Sequence, residues 1–483
     1  MTRAVDPRSV AGKAPVVERR VPLVVVGAGP AGIAAATAAA RAGVEVLLVD
    51  EHPVDVAMMA MDVPLYFGQR MSSAVRDRGA MLERVVQASP ALEAAVDAGV
   101  DVQLGVYVWG AFRTLVGLAD ETRSWLVGHE RLVVAAGARD VAVGFRGWEK
   151  AGVMGARGAS VLMTRYRALA ARRMVVLGSG PLGLETAALA LARGVEVAAV
   201  VEVAPAARGG PALRQRLEAE GVRFYTGHVV KEACGSRDEV EGVVCVPVDG
   251  GRATEIACDT VCLAIGLVPG VELLDALGAR LTFRSELGGW VPETDASGRT
   301  SVPDVAVAGD CAGVREDVAG DAGAAYWRAW LRASTEAGGW DVNACQCEEV
   351  TRRELIEVQP PRYLGGRSDA MRARSLGTLL RDGPVNPDQV KRLTRAGMGP
   401  CQGRRCREQV ALLLADAAGV PVADVPLARY RPPVRPLPLS VLWPHDEPEA
   451  TREQWVAWFG IPTQFAPHWA GSVAPGVPSA LDE

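Results

Sequence analysis

Pro22-Leu23-Val24-Val25-Val26-Gly27-Ala28-Gly29-Pro30-Ala31-Gly32, followed by an Ala-rich stretch to Arg41, a second β-branched run over 44–49 and Asp50, decides the fold. Short runs of Val and Leu on either side of a helical stretch are what strands buried on both faces look like. With the glycines between them they make a βαβ unit rather than a lone glycine motif. Gly27 permits the tight turn, Gly29 lets the backbone approach a pyrophosphate, and Gly32 allows close helix–strand packing, so the helix N-terminus that begins at Pro30 and Ala31 faces the phosphates. Asp50 can accept hydrogen bonds from a ribose diol and its charge repels a 2'-phosphate; Glu51 stands beside it.

The unit recurs. Residues 174–177 lead into Gly178-Ser179-Gly180-Pro181-Leu182-Gly183, then a helix and a strand from Val195. Arg41-Ala42-Gly43-Val44-Glu45-Val46 matches Ala192-Arg193-Gly194-Val195-Glu196-Val197, each glycine eleven residues after its third fingerprint glycine. On this alignment Asp50 faces Val201, and the acid of the second unit, Glu202, comes one residue late. The candidate residues of the second site are Gly178, Gly180, Gly183 and Glu202. Residues 132–137 and 261–266 each read as a strand ending in a glycine turn, at Gly137 and Gly266, and 304–308 runs into Gly309-Asp310 before an Ala-rich stretch over 319–337.

Composition bounds the function. The chain has 483 residues, nearly half of them apolar, which predicts about three domains, and its formal charge of −5 argues against general nucleic-acid binding. Residues 1–20 lack the apolar core of a signal peptide, and no apolar run is long enough to span a bilayer. Nine cysteines, an odd number, suit a reducing compartment better than a disulfide framework. The cytoplasm is the default expectation, with a peripheral place on the inner membrane surface as its variant.

Four of the nine stand together: Cys345-Gln346-Cys347 and Cys401-Gln402-Gly403-Arg404-Arg405-Cys406. A thiolate quartet holds an iron–sulfur cluster or zinc. C-x-C and C-x4-C are not the usual C-x2-C zinc pairs, and the Gly, Pro and Gln around them suit backbone N–H groups aimed at sulfur. No redox C-x4-C follows Asp50 and no C-x2-C lies in the second unit. Cys258, Cys262 and Cys311 read as buried packing residues. The five histidines stand alone, so catalytic residues remain unknown and no substrate-binding constellation is visible.

Two fingerprints, two glycine-ended strands and the closing Gly309-Asp310 resemble the two-dinucleotide-binding-domain flavoproteins, over about 21–340. The resemblance implies an α/β fold of two nested Rossmann-like domains, of pyridine nucleotide-disulfide oxidoreductase type. It implies FAD on Gly27, Gly29, Pro30, Ala31, Gly32, Asp50, Glu51, Gly137 and Asp310, and NAD(H) on the second set. The run G-M-G-P-C-Q-G-R-x-C after C-x-C-E-E-V is similar to the small helical 2Fe-2S domain of the bacterioferritin-associated-ferredoxin type. The order of parts resembles the alpha subunits of opine oxidase, hydroxyproline and proline dehydrogenase, heterotetrameric sarcosine oxidase and hydrogen cyanide synthase complexes.

The implied layout is a flexible tail over 1–20, an FAD-binding domain over 21–150 and 291–340, a second nucleotide-binding domain over 151–290, a 2Fe-2S domain over 341–428 ligated by Cys345, Cys347, Cys401 and Cys406, and a Pro-rich strap over 429–483. The implied partners are a beta subunit of the amino-acid-oxidase type carrying its own FAD, and a small third subunit; in some complexes FMN lies at the subunit interface and NAD or ATP replaces FAD in the alpha subunit. The implied role is an electron-transferring subunit of an amine or opine dehydrogenase. Two alternatives remain: a stand-alone NAD(P)H-dependent FAD/2Fe-2S reductase, and a non-enzymatic scaffold holding zinc and a structural nucleotide. Departures from the family are residues 63–69, where a P-G-G-Q-type segment is usual, and residues 359–375, which look like an inserted surface loop.

Overall fold

The computed structural model describes residues 17–53, 72, 77–236, 239–315, 323–438 and 441. Of the expected flexible tail over 1–20, residues 17–20 are instead the start of strand Val17–Val26, paired with the strand over 124–134; residues 1–16, the 63–69 segment and residues 442–483 of the expected strap lie outside the described residues.

The first β-branched run forms strand Val17–Val26, which turns at Gly27 into helix Pro30–Arg41 and returns as strand Val46–Asp50. Val26 pairs in parallel with Val49. A seven-stranded sheet follows in the order Asp101–Leu104, Val46–Asp50, Val17–Val26, Ser124–Val134, Leu115–Ala119, Tyr107–Phe112, with Val305–Val307 also on Ser124–Val134. The strand before Gly309-Asp310 thus returns to the first sheet, as a closing strand must.

The second unit builds a five-stranded sheet in the order Arg223–Thr226, Glu196–Glu202, Arg173–Leu177, Thr260–Leu263, Val153–Gly155, and a three-stranded antiparallel sheet stands beside it. Its central strands are buried on both faces: Val175, Val176, Val200, Val201 and Val261 have no exposed surface.

The cysteine region does not stand apart. Cys345, Val350, Leu355, Cys406 and the helix Arg407–Ala418 share one apolar core with Val175, Val201, Trp290 and Trp330. The sequence pattern predicts an amphipathic stretch over 408–417, yet Arg407 through Ala415 are all buried. The polar residues are tolerated because each finds a partner: Glu408 receives Arg139, while Gln409 accepts from the Gly144 N–H at 3.1 Å and donates to the Ala344 carbonyl at 3.0 Å.

Arg352 is the extreme case. Fully buried, it donates to the Gly144 and Gly339 carbonyls, to the Ser334 and Thr335 hydroxyls and to Gln409, with no carboxylate among these acceptors. Burial alone pushes its guanidinium down from the usual arginine range.

Residues 429–438 run as an extended strap along the first sheet. The Val434 N–H donates to the Trp109 carbonyl at 2.7 Å, Tyr430 is buried, and Leu437 packs on Ala119 and Trp109. Within 359–375, buried Gln359 donates to the Glu357, Met371 and Arg374 carbonyls, while Tyr363 and Leu364 stay exposed.

Candidate cofactor sites

The first glycine turn opens on a cavity of about 640 Å³. Gly27, at φ +105°, donates its N–H to the Val49 carbonyl at 2.8 Å, and a Cβ there would overlap the Ala135 carbonyl. Gly32 is as tightly constrained: a Cβ would overlap the Gly27 carbonyl. Gly29 differs, since nothing lies within 4 Å of where its Cβ would stand. That empty shell beside the cavity is the space a pyrophosphate needs. Helix Pro30–Arg41 carries no acid in its first turn, so its positive end stays uncompensated by its own side chains.

Gly27, Gly29, Pro30, Asp50, Glu51 and Gly137 line the cavity, while Ala31 and Gly32 lie in the helix behind the turn. The Asp50 carboxylate accepts from the Ala28 N–H at 2.5 Å and the His52 N–H at 2.8 Å, which fixes it at the cavity edge with lone pairs left for a ribose diol. Asp310 is not in the wall; it stands 3.6 Å from Arg157, which is. These residues fit a dinucleotide in size, backbone shape and charge.

Sequence reasoning misses several residues of this cavity. His52, solitary in the sequence, lines it and hydrogen-bonds the Tyr166 hydroxyl, and burial pushes its imidazole below the ordinary value. Arg404, from inside the second cysteine pair, and Arg435, from the strap, also line it. Arg435 pairs with Glu51 at 2.8 Å. The Arg404 carbonyl accepts from Arg139 at 2.7 Å, and Arg139 pairs in turn with Glu272 and Glu408. Two arginines between paired cysteines are the available signal for Arg404; nothing local marks Arg435.

The second fingerprint folds alike and faces differently. The alignment of Asp50 with Val201 is corrected: the Gly178 N–H donates to the Val201 carbonyl as Gly27 does to Val49, so Glu202 takes the place of Asp50. A bulge between Val197 and Ala199 absorbs the extra residue. Glu202 accepts from the Ser179 and Ala204 N–H groups as Asp50 does from Ala28 and His52.

Glu202, however, is fully buried, and the Ser179 hydroxyl and Tyr326 hydroxyl complete its partners at 2.6 and 2.9 Å. The Arg208 guanidinium lies 3.5 Å over the Tyr326 ring, and the Gly209 N–H donates to the Ser179 carbonyl. Gly178, Ser179 and Gly180 are all buried. The acid that would bind a ribose is spent on the chain itself, so these residues do not fit a second dinucleotide in this arrangement.

The cysteine sulfurs meet as a string. Cys406 stands beside Cys345, Cys345 is 3.9 Å from Cys347, and Cys347 is 3.7 Å from Cys401. Among the described residues no group of three or more His, Cys, Asp or Glu side chains is disposed to hold a single metal ion. The Gly397 N–H donates to Cys345 Sγ at 3.3 Å, and a Cβ on Gly399 would press on Cys347 Sγ. Mutual hydrogen bonding first, then burial, pushes the Cys347 thiol up to about 12. The Cys345, Cys347 and Cys401 thiols are all pushed up and stay protonated unless a cation gathers them as thiolates, which fits a metal cluster. Cys258, Cys262 and Cys311 are buried packing residues, as expected, and burial pushes Cys258 and Cys311 up to about 12.

Among the described residues no helix is long and apolar enough to cross a membrane. The family model described as pyridine nucleotide-disulphide oxidoreductase matches residues 21–336, and that described as the sarcosine oxidase A3 domain matches residues 371–444. An opine oxidase subunit from Agrobacterium tumefaciens is 27% identical over 468 residues, covering 87% of this chain and 91% of the relative. Subunit HcnB of the hydrogen cyanide synthase of Pseudomonas aeruginosa is 27% identical, covering 86% of this chain and 97% of the relative. The crystal structure of L-proline dehydrogenase from P. horikoshii matches with a TM-score of 0.57 at 20% identity, over 89% of this chain and 81% of that one.

Proposed function

The chain belongs to the pyridine nucleotide-disulphide oxidoreductase family, a family of flavin-dependent oxidoreductases, and from that premise we propose that it is the electron-transferring subunit of a complex that dehydrogenates the CH–NH bond of an amino acid or opine-type amine. The observation that carries this reading is the joining of two sites: the loop that supplies Cys401 and Cys406 also supplies Arg404 to the wall of the first nucleotide cavity. Relatives named as subunits of opine oxidase and hydrogen cyanide synthase, matched over most of both chains, support it.

When bound, FAD accepts two electrons and releases them singly, and a 2Fe-2S cluster carries them one at a time. The chain's own residues hold these groups. The turn at Gly27 and Gly29 and the helix from Pro30 receive the pyrophosphate, and Asp50 receives the ribose hydroxyls. Cys345, Cys347, Cys401 and Cys406 ligate the cluster, and the Gly397 N–H steadies the charge on Cys345 Sγ. The substrate is dehydrogenated on a partner subunit of the amino-acid-oxidase type with its own FAD. FMN at the interface and a cytoplasmic location belong to the same reading.

The alternative of an NAD(P)H-dependent reductase is disfavoured by the engaged Glu202. The test is co-expression with the products of neighbouring genes. The complex is expected to oxidise an amine and to contain iron and flavin. Amine oxidation by this chain alone at the rate of the complex would sink the proposal, rapid bleaching of its flavin by NADH would favour the reductase, and a colourless protein with zinc and no iron would establish the scaffold.

A further inference from the structure

We propose that the surface around Cys347 is the docking site of an acidic one-electron carrier protein, which takes electrons from the cysteine site. This rests on the reading that the four cysteines hold a 2Fe-2S cluster in an electron-transferring subunit.

Burial gives the cysteine site two sides. Cys345, Cys401 and Cys406 are buried, and the loop over 401–406 also lines the first cavity through Arg404. Cys347 is exposed. One side of the quartet therefore looks towards the nucleotide cavity and the other towards solvent. Electrons arriving from the first side have a short way out at Cys347.

Two loops frame that exit. The turn Arg362–Leu364 belongs to the stretch that looks inserted in the sequence, and its Tyr363 hydroxyl donates to Glu348, the residue after Cys347. Arg395 donates to the same carboxylate at 2.6 Å and to the Tyr363 hydroxyl at 3.2 Å. The Met398 N–H donates to the Arg395 carbonyl at 2.9 Å, and the next residue is Gly399, where a Cβ would press on Cys347 Sγ. These bonds fix Tyr363, Leu364 and Met398 beside Cys347 while leaving them 53%, 54% and 42% exposed. Aromatic residues and methionine are enriched at interfaces, and a patch this small suits the brief encounters of redox proteins.

Charge selects the partner. Residues 359–395 hold eight basic residues against three acidic ones, on a chain whose net charge is −5. Arg362 and Arg367 lean on one carboxylate, Glu354, and Arg362 is exposed. A basic face around an electron exit steers acidic proteins onto it. A membrane surface is the poorer fit, because Tyr363 and Leu364 sit on a three-residue turn and not on an amphipathic helix. In each encounter one electron passes to the carrier, which is reduced by one as the chain is oxidised by one, with no bond made or broken. Dehydrogenation of one amine supplies two electrons and so serves two encounters.

The experiment uses the full chain with its iron, alone and assembled with its partner subunits, and the probe is an acidic 2Fe-2S ferredoxin; cytochrome c, which is basic, is the opposite-charge comparison. Calorimetry is expected to show ferredoxin binding that weakens ~10-fold or more between about 20 and about 200 mM salt, with no binding of cytochrome c. Leu364→Asp and Met398→Asp should each weaken ferredoxin binding ~10-fold, with iron content and visible spectrum unchanged. Val96→Asp, at an exposed apolar position on helix Pro90–Asp97, should bind as the parent does.

Parent-like affinity in both patch variants overturns the docking site, and equal binding of cytochrome c overturns the charge of the partner. Loss of ferredoxin binding on assembly would give the face to a partner subunit, and binding of anionic phospholipid vesicles in place of ferredoxin would give it to a membrane; either result overturns the proposal. A parent without iron brings down the proposed function itself, a result read before any binding is measured and so distinct from the others. Leu364→Asp lies on the turn, away from the sulfurs, and keeps the docking site testable if Met398→Asp does not hold iron.

Discussion

The two fingerprints are nearly the same in backbone and opposite in what faces them. Both turn on a glycine at positive φ, both pass into a helix with proline at its start, and both end their second strand on an acid held by two backbone N–H groups. At the first, the acid and the open side of Gly29 face a cavity; at the second, Tyr326 and Ser179 consume the acid and Arg208-Gly209 folds across the turn. A glycine fingerprint therefore specifies a turn and a packing geometry. Whether it binds anything depends on what a distant helix places over it.

The strongest challenge to the shared scaffold is Gly32→Ala against Gly183→Ala. In each a Cβ would overlap the carbonyl of the first fingerprint glycine, so both variants are expected to lose most of the fold, by about 4 kcal/mol or more. Thermal unfolding of the pair checks this, and a stable variant on either side would break the equivalence.

Gly29→Glu separates use from scaffold. Its Cβ meets nothing and the backbone, at φ −76°, suits any residue, so the melting temperature should stay within a few degrees. A carboxylate in the phosphate space should still weaken nucleotide binding roughly 100-fold or more. Unchanged binding would mean that the cavity is not where the nucleotide lies.

The smallest effect is the most specific. Tyr326→Phe removes one buried donor to Glu202 and should cost about 1–2 kcal/mol, leaving first-cavity affinity untouched. If the same variant began to bind NADH, the second site would be gated by Tyr326 rather than filled in.

The sequence carries the local half of this contrast. The β-branched runs, the glycines and the acids are short-range signals, and the strands at 22–26, 174–177, 260–263 and 305–307 follow them. The bulge at Ala198 is invisible to spacing, because one extra residue in a strand looks like an acid out of register. Tyr326 lies 124 residues beyond Glu202, and Arg435 lies beyond the whole flavoprotein-like core, so their roles depend on tertiary approach. The helix Arg407–Ala418 misleads for the same reason: its Glu408 and Gln409 look solvent-facing until Arg139 and Gly144 arrive.

Arg352 has a consequence for ancestry. Its charge rests on Gly144, from the segment that leads out of the first unit towards the second, on Ser334 and Thr335, from the last helix of the first, and on Gln409, from beyond the cysteines. A gene cut anywhere between these pieces would strand a guanidinium among apolar neighbours, a loss of several kcal/mol. Although its parts look like cassettes that could be traded, this interior ion makes them inherit together: recombination can move the whole chain, but it cannot lend out the cysteine segment without first replacing Arg352.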